Sequence, residues 1–166
     1  MNCIHYLVHG QGGNGCNAPL TPEGIQQTER QREFLTLHFL MMAGLMAKVA
    51  HGLHFLILSG VIPKVVHGIG ACERQMIGLL ELQSHPLQAA YIVGDGYHKP
   101  VDPGMAKKFL ATLPQNTVIL GNRDFLRSIT GVKAINYGDV WSICYYGPDS
   151  LGFFDHNVPD FFQRPI

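Results

Sequence analysis

Nine histidines are spread over this 166-residue chain, and His9 has the neighbours best suited to chemistry. It ends an apolar run, residues 3–8, and opens a loop that reads Gly10-Gln11-Gly12-Gly13-Asn14-Gly15. A neutral imidazole at a strand tip can serve as a base or a nucleophile. Gly10-x-Gly12-x-x-Gly15 also matches the spacing of a dinucleotide loop, which needs its third glycine to enter a helix. Here Asn17-Ala18-Pro19 follows, and Glu29 and Glu33 fall inside an expected helix rather than at a second strand end. His9-Gly10-Gln11-Gly12-Gly13 could form the oxyanion loop of a serine hydrolase, but that chemistry needs a serine on a Gly-x-Ser-x-Gly elbow. Ser59 lacks the preceding glycine and Ser150 has the wrong spacing. His5 and His9 share a strand face, and His51 and His54 are three apart. Neither pair has a third ligand nearby, so no metal and no cofactor is expected.

The elements that must position His9 follow from the hydrophobic pattern. Residues 3–8 form a buried strand that stops at glycines. Thr21-Pro22-Glu23 starts a helix: the threonine caps, the proline fits the first turn, and the carboxylate complements the dipole. This helix is expected to reach about residue 47. Further strands are expected at residues 55–58, 90–93, 117–120 and 140–146, with helices at 63–82, 103–113 and 124–130. Strands alternate with helices and the central strands are continuously apolar. That pattern predicts an α/β fold, a three-layer α/β/α sandwich with a mainly parallel central sheet, as one domain over residues 1–166. Such sheets bind ligands at the carboxyl ends of their strands. His9, then Ser59 and Lys64, then Asp95, then Asn122 and Arg123 follow successive strands.

Composition narrows the partners. Lys plus Arg and Asp plus Glu are both 12, so formal charge is zero and neither nucleic acid nor an acidic membrane is an expected partner. Charged residues are 14%, against roughly 25% in an average domain, which leaves self-association as a homodimer open. The apolar stretch 35–58 is interrupted by His38, Lys48, His51 and His54, so it reads as a buried helix and strand rather than a membrane span. Cys3, Cys16, Cys72 and Cys144 are widely spaced and form no CxxC pair, so reduced thiols and a cytoplasmic location are expected. The aromatic tail, Phe153-Phe154 through Phe161-Phe162, is expected to pack on the domain or on a second subunit.

Three stretches together, about a third of the chain, resemble the histidine phosphatase (phosphoglycerate mutase-like) superfamily. The first is Ile4-His5-Tyr6-Leu7-Val8-His9-Gly10-Gln11 followed by Pro19-Leu20-Thr21-Pro22-Glu23-Gly24-Ile25-Gln26-Gln27. It is similar to the family's strand, Arg-His-Gly and L-T-x-x-G-x-x-Q helix start. The second is Leu58-Ser59-Gly60-Val61-Ile62-Pro63-Lys64, and the third is Val118-Ile119-Leu120-Gly121-Asn122-Arg123-Asp124-Phe125-Leu126. The resemblance implies that His9 is the nucleophile, Gly10 part of the phosphate loop, Lys64 the counterpart of an arginine, and Asn122 the counterpart of a second histidine. Asp95 stands as the candidate acid. Val8 occupies the place of the first arginine. Asn122 is equally a turn former ahead of the next helix.

Phosphoryl transfer to a histidine needs a free imidazole nitrogen, cations around the phosphoryl oxygens, and a proton for the leaving oxygen. Lys64 keeps a charge but lacks the planar fork of arginine; Asn122 keeps only a donor. One lost donor typically costs about 10²–10³ in rate. The expectation is a diverged relative with a phosphate or small-anion pocket around His9 that is weakly active or inactive. The alternatives are an active phosphohydrolase on a small phosphoester or phosphohistidine, with Arg123 or His67 compensating, and a non-catalytic protein-interaction module.

Overall fold

The computed structural model describes residues 2–14, 17–42, 61–94, 100–147 and 150–156. Its elements in chain order are β1 (Asn2–Val8), α1 (Pro22–Met42), β2 (Val65–His67), α2 (Ala71–Leu79), β3 (Leu87–Ala89), α3 (Pro103–Ala111), β4 (Val118–Gly121), α4 (Arg123–Thr130), β5 (Val140–Gly147) and β6 (Ser150–Asp155). The strands form one sheet in the order β3-β2-β4-β1-β5-β6. β3, β2, β4 and β1 pair in parallel, while β5 and β6 are added antiparallel.

Alternation along β1 builds a core on each side of the sheet. Leu7 faces Leu35 and Phe39 of α1 and Met76 of α2. Ile4, Tyr6 and Val8 face Ala106 and Leu110 of α3 and Phe125, Leu126 and Ile129 of α4. Tyr6 stacks on Phe125, with centroids 5.6 Å apart. The expected three-layer α/β/α architecture is therefore present, with a sheet that is mostly parallel.

Two expected boundaries are corrected, and a third lies out of view. The expected strand 55–58 falls outside the described residues. The described second strand, Val65–His67, comes from the start of the expected helix 63–82. Val65 and Val66 are wholly buried between β3 and β4, where branched side chains suit a pleated, two-sided environment. The helix begins only at Ala71, beyond Gly68 and Gly70. The expected strand 90–93 is displaced as well: β3 ends at Ala89, and Tyr91–Val93 form a 3-10 turn. Its carbonyls still serve the sheet edge, since Asn122 N–H donates to Val93 O at 2.9 Å and Ile69 N–H to Gly94 O at 2.8 Å.

The expected reduced state is also corrected for two cysteines. β5 pairs antiparallel with β1 so that Cys144 lies opposite Cys3, and the two are joined in a disulfide. Cys72 is free and buried. In the aromatic tail, Phe153 packs against the α3 side of the core, and Phe161 and Phe162 lie outside the described residues. Among the described residues no helix is long and apolar enough to cross a membrane.

The Cys3–Cys144 bond closes a loop with a sequence separation of 141, so its loss should cost about 2–5 kcal/mol. Urea unfolding of the oxidised protein and of the Cys3→Ser, Cys144→Ser double variant should show a clearly lower midpoint for the variant. Equal midpoints would show that the strand pairing alone holds β5.

Candidate active site at the carboxyl edge of the sheet

The loop after β1 is held by the start of α1. Thr21 caps the helix: Gly24 N–H donates to its Oγ1 at 3.1 Å, and its own hydroxyl donates to Gln11 O at 3.1 Å. Gln11 N–H in turn donates to Gln27 Oε1 at 2.8 Å. Gly10 and Gly24 lie so close that a Cβ on either would collide with the other segment's backbone, which is why both are glycine. The Leu-Thr-Pro-Glu-Gly run with its following glutamine is thus a clasp for residues 10–11. α2 closes the far side, where Leu20 N–H donates to Gln75 Oε1 at 2.9 Å.

The clasp sets the His9 ring. His9 Nδ1–H donates to Gly10 O at 2.6 Å. With Nδ1 as donor, the neutral ring leaves the Nε2 lone pair free, the form that phosphoryl transfer to histidine requires. The main chain is fixed on both sides: His9 N–H donates to Gly121 O, and Gly138 N–H donates to His9 O. Tyr137 lies 5.7 Å from the imidazole, centroid to centroid. On the same ring sits Arg123, its guanidinium carbon 3.9 Å from the centroid and its Nη2 donating to the phenol oxygen at 2.8 Å. This cation–π contact orders the arginine beside His9.

The other expected site residues fare differently. Asn122 is buried and caps α4, its Oδ1 accepting from Phe125 N–H at 3.0 Å while its carbonyl accepts from the Tyr6 hydroxyl. The turn-former reading of Asn122 therefore holds, and its Oδ1 is committed to the helix. Tyr6 is kept a neutral donor, because burial first and the charge of Glu73 second push its pKa well up. Lys64 precedes β2 at the opposite end of the sheet, and its Nζ donates to Gln88 Oε1 at 2.8 Å. Val65 aligns with Val118 and Val118 with His5, so Lys64 lies about 16 Å below His9 along the strands. Asp95 lies outside the described residues. Val8 is wholly buried in the apolar cluster with Tyr6. His67 ends β2 on the same edge as His9, with Nδ1–H donating to Gly68 O at 2.9 Å.

Three further residues shape this edge. Tyr137 organises Arg123. Cys72 lies against the glycine loop with its thiol donating to Ala18 O. Burial, then the neighbouring Glu73, pushes that thiol up to about 11, so it is no nucleophile near neutral pH. Glu73 is itself buried in the first turn of α2, with its carboxylate against the backbone of Gly70 and Gly94. Tyr137 carried no signal in the sequence; Cys72 and Glu73 would have emerged had the helix start been placed at Ala71.

A sheet with this order, a histidine at the tip of its central parallel strand and a capped helix beside it define the histidine phosphatase fold, and the chain has that fold. The protein histidine phosphatase SixA, solved with tungstate, superposes with a TM-score of 0.67 over 96% of this chain and 99% of that one, at 11% identity. A mycobacterial glucosyl-3-phosphoglycerate phosphatase gives 0.60 over 93% and 97%, at 9% identity. YhfR of Bacillus stearothermophilus gives 0.59 over 94% and 96%, at 9% identity. No family model matches the sequence, and no curated protein matches it.

Because Asn122 acts as a cap, Asn122→Ala should cost about 1 kcal/mol and Asn122→Asp much less. Thermal unfolding of both variants checks this. Equal losses would mean that the side chain does something other than cap.

Proposed function

We propose that this chain holds a phosphate-sized oxyanion at the His9 edge and hydrolyses phosphoesters feebly or not at all. The observation that carries the reading is the Nδ1–H bond of His9 to Gly10 O, which leaves the Nε2 lone pair of the neutral ring free. Arg123, ordered on Tyr137, supplies a cation, and the positive end of α4 begins at the same residue. In a turnover, Nε2 would form a bond to phosphorus as the ester oxygen leaves with a proton, and water would then release phosphate from the ring. The fork that arginine would supply at position 8 is replaced by a buried valine. Asn122, whose Oδ1 serves the cap, offers an uncharged amide donor where a second histidine would offer a charge, and Lys64 is remote. Losses within one constellation do not simply add, but each weakens charge stabilisation in the transition state. Tungstate bound to the SixA structure makes a suitable probe for this pocket.

A non-catalytic interaction module is supported by a separate feature. Tyr146 and Phe154 are exposed on the β5–β6 edge of the sheet. The cytoplasmic setting expected from the sequence fits poorly with the Cys3–Cys144 bond, which persists where thiols stay oxidised.

Tungstate and inorganic phosphate titrations should show binding that weakens about tenfold or more in Arg123→Ala, roughly the worth of one charge-assisted contact. Hydrolysis of an aryl phosphate at mildly acidic pH should be slight and vanish in His9→Ala. Undetectable oxyanion binding would overturn the pocket, and equal residual hydrolysis in His9→Ala would remove His9 as nucleophile.

A further inference from the structure

A second histidine group lies on the α1 face of the sheet, away from the His9 loop. His5 of β1, His38 of α1 and His156 just past β6 gather around Ser142 of β5. His5 Nδ1 is 3.0 Å from Ser142 Oγ, and His156 Nε2 is 2.6 Å from the same oxygen. His5 Nε2 is 3.3 Å from Asn116 Oδ1. The His38 ring lies 5.1 Å from His5 and 5.5 Å from His156. Phe34 and Phe39 pack around the rings from α1.

The hydrogen bonds allow one arrangement of protons in neutral rings. Asn116 Oδ1 accepts, so His5 Nε2 carries a hydrogen and Nδ1 is bare. Bare Nδ1 accepts from the Ser142 hydroxyl, and the Ser142 oxygen accepts from His156 Nε2–H. A proton added to His5 Nδ1 faces the Ser142 hydroxyl with a second donor and leaves that hydroxyl without its acceptor. His38 Nε2 is buried with no partner, so a charge on this ring gains no hydrogen bond at that nitrogen. Charges on rings about 5 Å apart, among phenylalanines, repel in a medium that screens them weakly.

We propose that His5, His38 and His156 form an acid-released latch that fastens the end of β6 and the middle of α1 to β1 and β5. The latch is closed when the rings are neutral and opens as they gain protons. His156 is anchored to the sheet through its main chain, N–H to Val140 O, and through Ser142, so protonation acts directly on the outermost strand. The groups facing the cluster are His38, Phe34 and Phe39 from α1, His5 from β1, Ser142 from β5, Asn116 from the turn before β4, and Asp155 with His156 from β6. Asp155 favours the charged form of His156; the other influences oppose it. Burial is the largest, with His38 adding to it. His5 is lowered to about 4, by burial first and then His38, with Asn116 acting the other way. His38 is lowered by burial. Each ring therefore binds its proton more weakly folded than unfolded. The stabilisation is complete above about 6.5 and is lost as pH falls toward 4.

Hydrogen–deuterium exchange on the full chain, corrected for intrinsic rates, tests the latch. Protection of residues 150–156 should fall about tenfold or more between about pH 7.5 and about pH 5, and that of β4, which opens only with the whole domain, should fall by no more than this. The double variant His38→Phe, His156→Gln keeps ring packing and a donor to Ser142, and should lose most of this response. Imidazole NMR titration of the unaltered chain needs no variant: His38 and His156 should titrate below about 6.5. Protection that ignores pH, a larger loss in β4 than in residues 150–156, a variant that keeps the full response, or titration at or above the ordinary value would each overturn the proposal.

Discussion

The grip of the first turn of α1 on the loop after β1 is the constraint on which the rest of the site depends. Gly10 and Gly24 pack backbone on backbone, and Gln11 is held by Thr21 and Gln27. This contact fixes the direction in which the chain leaves the sheet, and so the carbonyl of Gly10. That carbonyl selects the His9 tautomer. A helix cap, a steric exclusion and the tautomer of the His9 ring are thus consecutive links in one chain of cause.

The sheet beneath supports that chain from both sides. Parallel pairing with β4 brings Gly121 beside the strand tip, where its carbonyl accepts from His9 N–H. Gly121 must lack a Cβ because the Tyr6 hydroxyl fills that space on its way to Asn122 O. The antiparallel addition of β5 closes the other flank. Gln31 of α1 reaches across to donate to both Val8 O and Asp139 O. The site edge is therefore rigid even though its charge complement is sparse.

Much of the fold was legible because its signals are local. Buried runs and the Thr-Pro-Glu start marked β1, the start of α1 and β4 within a residue or two, while the expected end of α1 near residue 47 lies outside the described residues; the resemblance drew on residues that prove to form the clasp. What failed required knowledge of neighbours. Reading residues 63–82 as one helix hid β2 at Val65–His67 and carried Lys64 to the active edge on paper, whereas it stands at the other end of the sheet. Asn122 looked like a ligand and a cap equally, and the Phe125 N–H bond to its Oδ1 shows the cap. Tyr137 lies between α4 and β5 with no pattern to mark it, although it orders the cation beside His9. The Cys3–Cys144 bond was invisible because nothing in the spacing reveals that β5 returns antiparallel against the opening strand.

What the described residues bring to this edge is an imidazole whose Nδ1 is bonded to Gly10 O, one guanidinium ordered on Tyr137, and the buried Glu73 side chain in the first turn of α2. The most direct measurement is a crystal soaked in tungstate, with the metal located by its anomalous signal. The account predicts a peak within bonding or hydrogen-bonding reach of His9 Nε2 and beside the Arg123 guanidinium. Peaks only elsewhere on the molecule, with the loop mouth empty at saturating tungstate, would contradict it.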